Sequence, residues 1–306
     1  MAISSHEIII DAVLQEWPDH KFAIDRNLKA CSAEEMDYSN RIASMIRDIT
    51  GDNMSNLVSG YKWMCKMIEA EELHFRRTGL YRNRSFSEVL ESVYNVPEIM
   101  TLYMDGLLVS QVLWSNHIRV GNYFESQFVN TAKPGRRHLE IGTGHGLMLA
   151  LACVVEGEFS GWDISADSIK ITEACLKRIG ITRDVSLVRQ DLFKSSSYET
   201  FDDIVISEVL EHIDNPHEAM KVVRDLLVPG GRVFINVPVN APTIDHIYLF
   251  HSPEHVIDLV QRVGLEVEKM LSAPAAGYKE ATARKLKAAI SCAIIARKPQ
   301  LTSCSN

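Results

Sequence analysis

Residues 139–146 read Leu-Glu-Ile-Gly-Thr-Gly-His-Gly, an apolar strand end that runs into glycine at every second position. Glycines at 142, 144 and 146 leave no side chain where the chain turns out of the strand. Backbone can therefore press against a ligand, and the next helix can present free N–H groups to it. The spacing is G-x-G-x-G. A dinucleotide fold would want G-x-G-x-x-G, and position 147 is Leu.

Beyond the loop, the chain alternates between the two periods of secondary structure. An apolar helix over 147–155 leads to a strand over 159–162 that ends in Asp163, where a carboxylate can accept both ribose hydroxyls of a nucleoside cofactor. A helix over 167–179 precedes strand Val185–Arg189 and Gln190-Asp191, whose carboxylate is placed to accept from an adenine amino group. The next strand, 203–207, opens Glu-Val-Leu-Glu-His at 208–212. Helices are expected over 216–227 and 253–263, each with a capping residue (Asn215, Ser252) and a proline at its first position. Pro229-Gly230-Gly231 turns the chain into a strand over 232–237, and strands over 265–270 and Ile290–Arg297 close it as an antiparallel edge. Such alternation demands a mostly parallel sheet covered on both faces.

Before Lys133-Pro134-Gly135 the apolar spacing is helical throughout, as in Met36, Ile42, Met45, Ile46, Ile49 and in Leu57, Tyr61, Met64, Met67, Ile68. The chain divides into a helical part, residues 1–130, and an α/β part, residues 131–300. Tyr103, Trp114 and His117 lie near the junction and are candidates to line a substrate pocket, although aromatic residues at helical spacing usually pack in a core. Arg76, Arg77, Arg82 and Arg84 form a local basic cluster, read as a solvated surface or as a clamp for an anionic group.

Residues 137–298 resemble the class I S-adenosylmethionine-dependent methyltransferases, especially the branch with Glu-Val-Leu-Glu-His after strand four. The resemblance implies a Rossmann-like, seven-stranded, mostly parallel sheet preceded by an all-helical N-terminal domain. It carries the cofactor site onto Glu140, Gly142, Thr143, Gly144, Gly146, Asp163, Ile164, Asp191, Leu192, Ser207 and Glu208. Helices ahead of the glycine strand in that family cover the cofactor cleft or pair two subunits, so a lid, a pocket wall and a homodimer interface are all assigned to residues 1–130.

Glu208 and Glu211 are three apart, and Glu208 and His212 four apart, so a helical turn starting at Glu208 would set all three on one face. His246 follows strand five at the same carboxyl end of the sheet. Glu208, Glu211, His212 and His246 are thus a candidate divalent-metal site, and they resemble the metal-dependent branch typified by small-RNA terminal 2′-O-methyltransferases and ubiquinone-pathway O-methyltransferases. In other relatives the same turn merely shapes the cofactor pocket, and His246, His212 or His251 is then a candidate general base. Tyr248 joins the candidate substrate residues.

The formal charge of −8 and the lack of long Lys/Arg runs disfavour nucleic acid as a partner. No stretch approaches the ~20 apolar residues of a membrane span. Six cysteines without C-x-x-C spacing, and no secretion signal at the N-terminus, point to a reducing cytoplasm. The function expected is methyl transfer from S-adenosylmethionine to O or N of a small molecule in specialised biosynthesis. Two rivals are a nicotinamide-dependent oxidoreductase, against which the glycine spacing argues, and a non-catalytic binding module on the same fold.

Overall fold

The computed structural model describes residues 3–51, 53–195 and 199–300. Its first part is helical: α1 (Ser5–Glu16), α2 (Lys21–Leu28), α3 (Ala33–Thr50), α4 (Met54–Thr78), α5 (Phe86–Val89), α6 (Pro97–Leu113) and α7 (Ser115–Phe124). Capping boxes start α1 and α3, with Ser4 paired to Glu7 and Ser32 to Glu35; each satisfies two otherwise orphaned N–H groups. α5 and α7 both run on into a π-turn, over Leu90–Tyr94 and Glu125–Val129.

The sheet follows as β1 (Arg136–Ile141), β2 (Gly157–Asp163), β3 (Val185–Arg189), β4 (Phe201–Ser207), β5 (Leu227–Val239), β6 (Glu266–Pro274) and β7 (Ile290–Arg297). Its order is β3-β2-β1-β4-β5-β7-β6, parallel except for β7, which runs antiparallel to both neighbours. The expected seven-stranded, mostly parallel sheet with a helical N-terminal region is therefore what the chain forms. Between strands lie α8 (Leu147–Ala152), α9 (Ala166–Ile179), α10 (Pro216–Leu226), α11 (Pro253–Arg262) and α12 (Glu280–Leu286). Asn215 and Ser252 cap α10 and α11 as expected, accepting from the N–H groups of Glu218 and His255.

Two local expectations change. Pro229-Gly230-Gly231 lies inside β5 rather than before it, with Gly230 in the left-handed region at φ 78°. The closing pair is not a plain hairpin, because α12 sits between β6 and β7; its sequence, Glu-Ala-Thr-Ala-Arg-Lys-Leu, is made mostly of strong helix formers.

Side-chain alternation along the central strands builds two cores. Val205 of β4 and Phe234 of β5 face a cluster that also holds Ile42, Tyr61, Val109, Phe124 and Phe128 of the helical part. Ile204, Ile206, Val233 and Ile235 face the opposite cluster with Met220, Val223, Val256 and Val260 of α10 and α11. The rings of Phe124 and Phe128 stand 5.0 and 5.8 Å from that of Phe234, so the helical part shares one core with a face of the sheet. Among the described residues no helix is long and apolar enough to cross a membrane. Cys31, Cys65, Cys153, Cys175 and Cys292 are free thiols; Cys304 lies outside the described residues.

At the amino end of the sheet the buried Asp203 carboxylate accepts from Arg136 Nε at 2.6 Å and from Arg232 Nε at 3.0 Å, joining β1, β4 and β5. Asp203→Ala leaves two largely buried guanidinium groups facing a void, an arrangement that costs about 3 to 5 kcal/mol. Urea denaturation monitored by circular dichroism should show a loss of that order.

Candidate active site

Parallel pairing aligns the carboxyl tips of β1, β4 and β5, and the loops after them converge. The glycine loop leaves β1 with left-handed φ angles at all three glycines. A Cβ at Gly142 would collide with Val209 Cγ2, whereas one at Gly144 meets nothing within 4 Å. Position 142 is thus packed on the turn after β4, and position 144 borders open space. Thr172 of α9 donates from Oγ1 to the Gly144 carbonyl at 2.8 Å and sits 2.7 Å from Thr143 Oγ1, which pins the loop.

Glu140, next to the loop, is buried and its Oε2 has no hydrogen-bond partner. Desolvation pushes its carboxyl up to about 8. Asp163 ends β2, with Oδ1 accepting from the Ser165 N–H at 2.8 Å; burial raises its pKa against the opposing effect of that bond. Asp191 caps the turn Leu192–Lys194, and its Oδ1 accepts from the Phe193 N–H at 3.0 Å. Ile164 is exposed and Leu192 buried, on the tips after β2 and β3. Ser207 Oγ and Glu208 Oε1 both accept from Asn236 Nδ2 of β5, at 3.1 and 2.7 Å.

The turn after β4 differs from the one expected. Glu208 is left-handed at φ 53°, and the helical turn, Leu210–His212, begins two residues later. A left-handed non-glycine residue is strained and breaks the run that would have set Glu208 on the face of Glu211 and His212. The ligand atoms of Glu211, His212 and His246 all lie within 4.8 Å of one another; Glu208 is not part of that group and is held by Asn236 instead. Burial brings the Glu208 carboxyl up to about 7, the Asn236 amide opposing the rise.

Glu211 is fully buried, with neither carboxylate oxygen hydrogen-bonded. His212 Nε2 lies 3.7 Å and His246 Nε2 3.9 Å from its Oε1. Each imidazole is fixed through its other nitrogen. His246 Nδ1–H donates to the Ala241 carbonyl at 2.6 Å, and His212 Nδ1–H to the Asp245 carbonyl at 2.9 Å, so both Nε2 lone pairs remain for the Glu211 side. Burial, then the neighbouring His212, lowers His246 to about 4 and keeps it neutral. Burial and then Glu208 push Glu211 well above the usual carboxylate range. The N–H groups of Ile247 and Tyr248 donate to the Glu211 carbonyl at 2.9 and 3.0 Å, which docks the loop after β5 onto this turn.

Other expected residues fall elsewhere. His251 is exposed and stacks on His255 with ring centroids 5.8 Å apart; it is not joined to the histidine pair. Tyr248 packs against Phe250, 4.9 Å between centroids, over the core of α10 and α11. The Trp114 indole donates to Tyr61 Oη at 3.0 Å, and His117 Nδ1 lies 3.0 Å from Ser110 Oγ, so both are spent on helix packing. Burial brings His117 down to about 4, as suits a neutral core imidazole. Tyr103 does reach the site, donating to Asp245 Oδ1 at 2.8 Å.

Sequence reasoning missed the segment that covers this edge. The Ala241 N–H donates to Tyr81 Oη at 3.0 Å, Asn83 Nδ2 to the Ile244 carbonyl at 2.6 Å, and the Phe86 N–H to Asp214 Oδ1 at 3.1 Å. Tyr94 Oη stands 3.2 Å from His212 Nδ1. Of the basic cluster, Arg82 is paired with the buried Glu71 at 2.9 Å and Arg76 lies 3.8 Å from Glu72.

Residues 123–270 match the family model described as a methyltransferase domain. The chain is 26% identical over 143 residues to the ubiquinone biosynthesis O-methyltransferase of Thiobacillus denitrificans, covering 46% of this chain and 61% of that protein. Its counterpart from Azoarcus sp. is 25% identical over 128 residues, covering 42% and 54%. The chain therefore spans a little over half the length of these curated relatives. Among solved structures, the N-methyltransferase NodS of Bradyrhizobium japonicum WM9 with S-adenosyl-L-homocysteine aligns over 60% of this chain and 88% of that one, at 18% identity and a TM-score of 0.48. Residues 123–270, just under half of the chain, are thus similar to a methyltransferase domain, and they lie on a seven-stranded, mostly parallel sheet.

The raised pKa of Glu140 has a consequence for the ligand-free protein. Its folded value, about 8, exceeds the ordinary value of 4.5, so the folded state holds the proton more tightly and stability falls as pH rises between those values. Glu140→Gln removes this dependence. Thermal melts from pH 4.5 to 8.5 should show a shallower decline for the variant, with the widest gap from the parent at the alkaline end.

Proposed function

We propose that this chain transfers the methyl group of S-adenosylmethionine to an oxygen of a small-molecule acceptor in a specialised biosynthetic route, with a divalent ion held by Glu211, His212 and His246. The observation that carries the metal part is the Glu211 carboxylate, buried, without a hydrogen bond, and faced by two imidazole Nε2 atoms. An unpaired buried carboxylate is costly, and a cation between these three groups removes the cost. One carboxylate with two imidazoles suits Zn²⁺, Fe²⁺ or Mn²⁺ better than Mg²⁺, which prefers an all-oxygen shell. The two Nδ1–H···O=C bonds supply the outer support that ligating histidines usually have.

The cofactor fits the other half of the edge. Open space beside Gly144 leaves room for the methionine part, and Glu140, at the end of β1 just before the loop, has an unpartnered Oε2 that would serve as an acceptor. Asp163 holds the ribose and Asp191 the adenine, with Ile164 and Leu192 beside the base and Ser207 and Glu208 closing the far side.

Methyl transfer from a sulfonium is an in-line displacement, so alignment supplies most of the catalysis and the acceptor must lose its proton. An ion bound at this site supplies the Lewis acidity that lowers the pKa of an acceptor oxygen. His246, neutral and with a pKa far below 7, is a better ligand than base. The name shared by the curated relatives favours oxygen over nitrogen as the atom methylated. Tyr81, Tyr94 and Tyr103 form the acceptor side of the edge, and the chain acts in the cytoplasm.

Two measurements test this. Asp163→Ala should weaken S-adenosylmethionine binding by about 2 to 4 kcal/mol in calorimetric titration, two charge-assisted hydrogen bonds being lost. Chelator-treated protein should keep that affinity but lose methyl transfer, and Mn²⁺, Fe²⁺ or Zn²⁺ should restore it. Full turnover in excess chelator, with no metal by elemental analysis, would overturn the metal-assisted mechanism.

A further inference from the structure

We propose that Asp245 is a positioning residue for His212, and that Tyr94 and Tyr103 make the helical part of the chain a working portion of that device. The proposal deepens the metal reading above and rests on it for its chemical use. Asp245 acts on His212 twice. Its backbone carbonyl accepts from His212 Nδ1–H at 2.9 Å, and its carboxylate Oδ2 lies 3.6 Å from the same nitrogen. A carbonyl only accepts, so this bond requires the proton on Nδ1 and leaves the lone pair on Nε2, the atom that faces Glu211.

The aspartate is in turn held on several sides. Oδ1 accepts from Tyr103 Oη at 2.8 Å and from Thr243 Oγ1 at 2.6 Å, and Oδ2 from Tyr94 Oη at 3.4 Å. Tyr94 also sits against the imidazole itself, 3.2 Å from Nδ1 with ring centroids 6.4 Å apart. Asp245 is buried, so its charge must be met by donors, and two of the three hydroxyls that meet it come from residues before the sheet begins. Histidine and aspartate lie on different loops, after β4 and β5. The carboxylate is therefore the joint at which both loops and the helical part fix one ring orientation.

Packing alone does not require this arrangement. A carboxylate that served only to bind the loop after β5 would need Thr243 and Tyr103, but neither the carbonyl aimed at His212 nor Tyr94 between them. The second imidazole, His246, donates to the Ala241 carbonyl and has the Tyr81 ring 6.0 Å from its own, so neither Tyr94 nor Tyr103 sets its tautomer. Loss of the Asp245 anchor should therefore disturb His212 and spare His246.

The test uses the full chain labelled with ¹⁵N in histidine. In the parent, His212 should show a protonated Nδ1 and an unprotonated, pyridine-type Nε2. Asp245→Ala should bring in the second tautomer at His212 while His246 keeps its proton on Nδ1. Tyr103→Phe keeps the ring and the fold and removes one hydroxyl, and should give the same change in weaker form. Mn²⁺ affinity should fall about 10- to 100-fold in Asp245→Ala with S-adenosylmethionine affinity unchanged. Parent-like His212 signals in both variants overturn the proposal, whatever happens to their melting temperatures. A parent chain that binds no Mn²⁺, Fe²⁺ or Zn²⁺ while the variants shift the His212 tautomer removes the metal reading and supports the positioning role.

Discussion

Parallel pairing of β1, β4 and β5 is the constraint on which the site depends. Because the three strands run the same way in adjacent positions, the glycine loop, the turn Leu210–His212 and the loop carrying Asp245 and His246 all leave the sheet at one edge. An antiparallel neighbour would have sent one of them to the opposite end, where Arg136, Asp203 and Arg232 tie the strands together. Contact between the loops is then direct: Gly142 packs on Val209, and the Glu211 carbonyl accepts two N–H groups from residues 247 and 248.

Groups at this edge fall into two electrostatic kinds. Glu140, Glu208 and Glu211 are carboxyls whose burial disfavours ionisation, and two of them keep at least one oxygen without a partner. Asp245 is equally buried, yet burial is outweighed by His212, His246 and the hydroxyls of Thr243 and Tyr103, which hold it below the usual carboxylate range. In the proposed function the unmet carboxyls are the groups that meet ligands, and the well-met carboxylate is the support behind them. That division separates candidate ligands from positioning groups without recourse to distance alone.

The parts of this arrangement that lie close together in sequence were legible in it. Glycine spacing, strand-end carboxylates and helix caps each express a local backbone need, and Asn215, Ser252, Asp163 and the loop at 142–146 behave accordingly. The Glu-Val-Leu-Glu-His segment was half legible. Spacing brought Glu211 and His212 together, but the left-handed turn at Glu208 leaves no trace in residue type. Tyr81, Asn83 and Tyr94 were not legible at all, since they approach the loops after β4 and β5 from more than a hundred residues away and carry no periodic signal. Trp114 and His117 were read towards the pocket because polar aromatic residues near a domain junction invite that reading; Tyr61 and Ser110 in the helices satisfy them.

The core shared by Phe124, Phe128 and Phe234 bears on how such a protein can change over time. A cover that merely rested on the sheet could be exchanged for another, and acceptor choice would then evolve by swapping modules. Here Tyr103, which reaches the site, belongs to α6, whose apolar residues Val109, Val112 and Leu113 lie in the same core as Val205 and Phe234 of the sheet. If the helical part lines the acceptor side as proposed, acceptor preference and foldability are inherited together, and new specificities would accumulate by substitution within the existing helices rather than by recombination at their boundary.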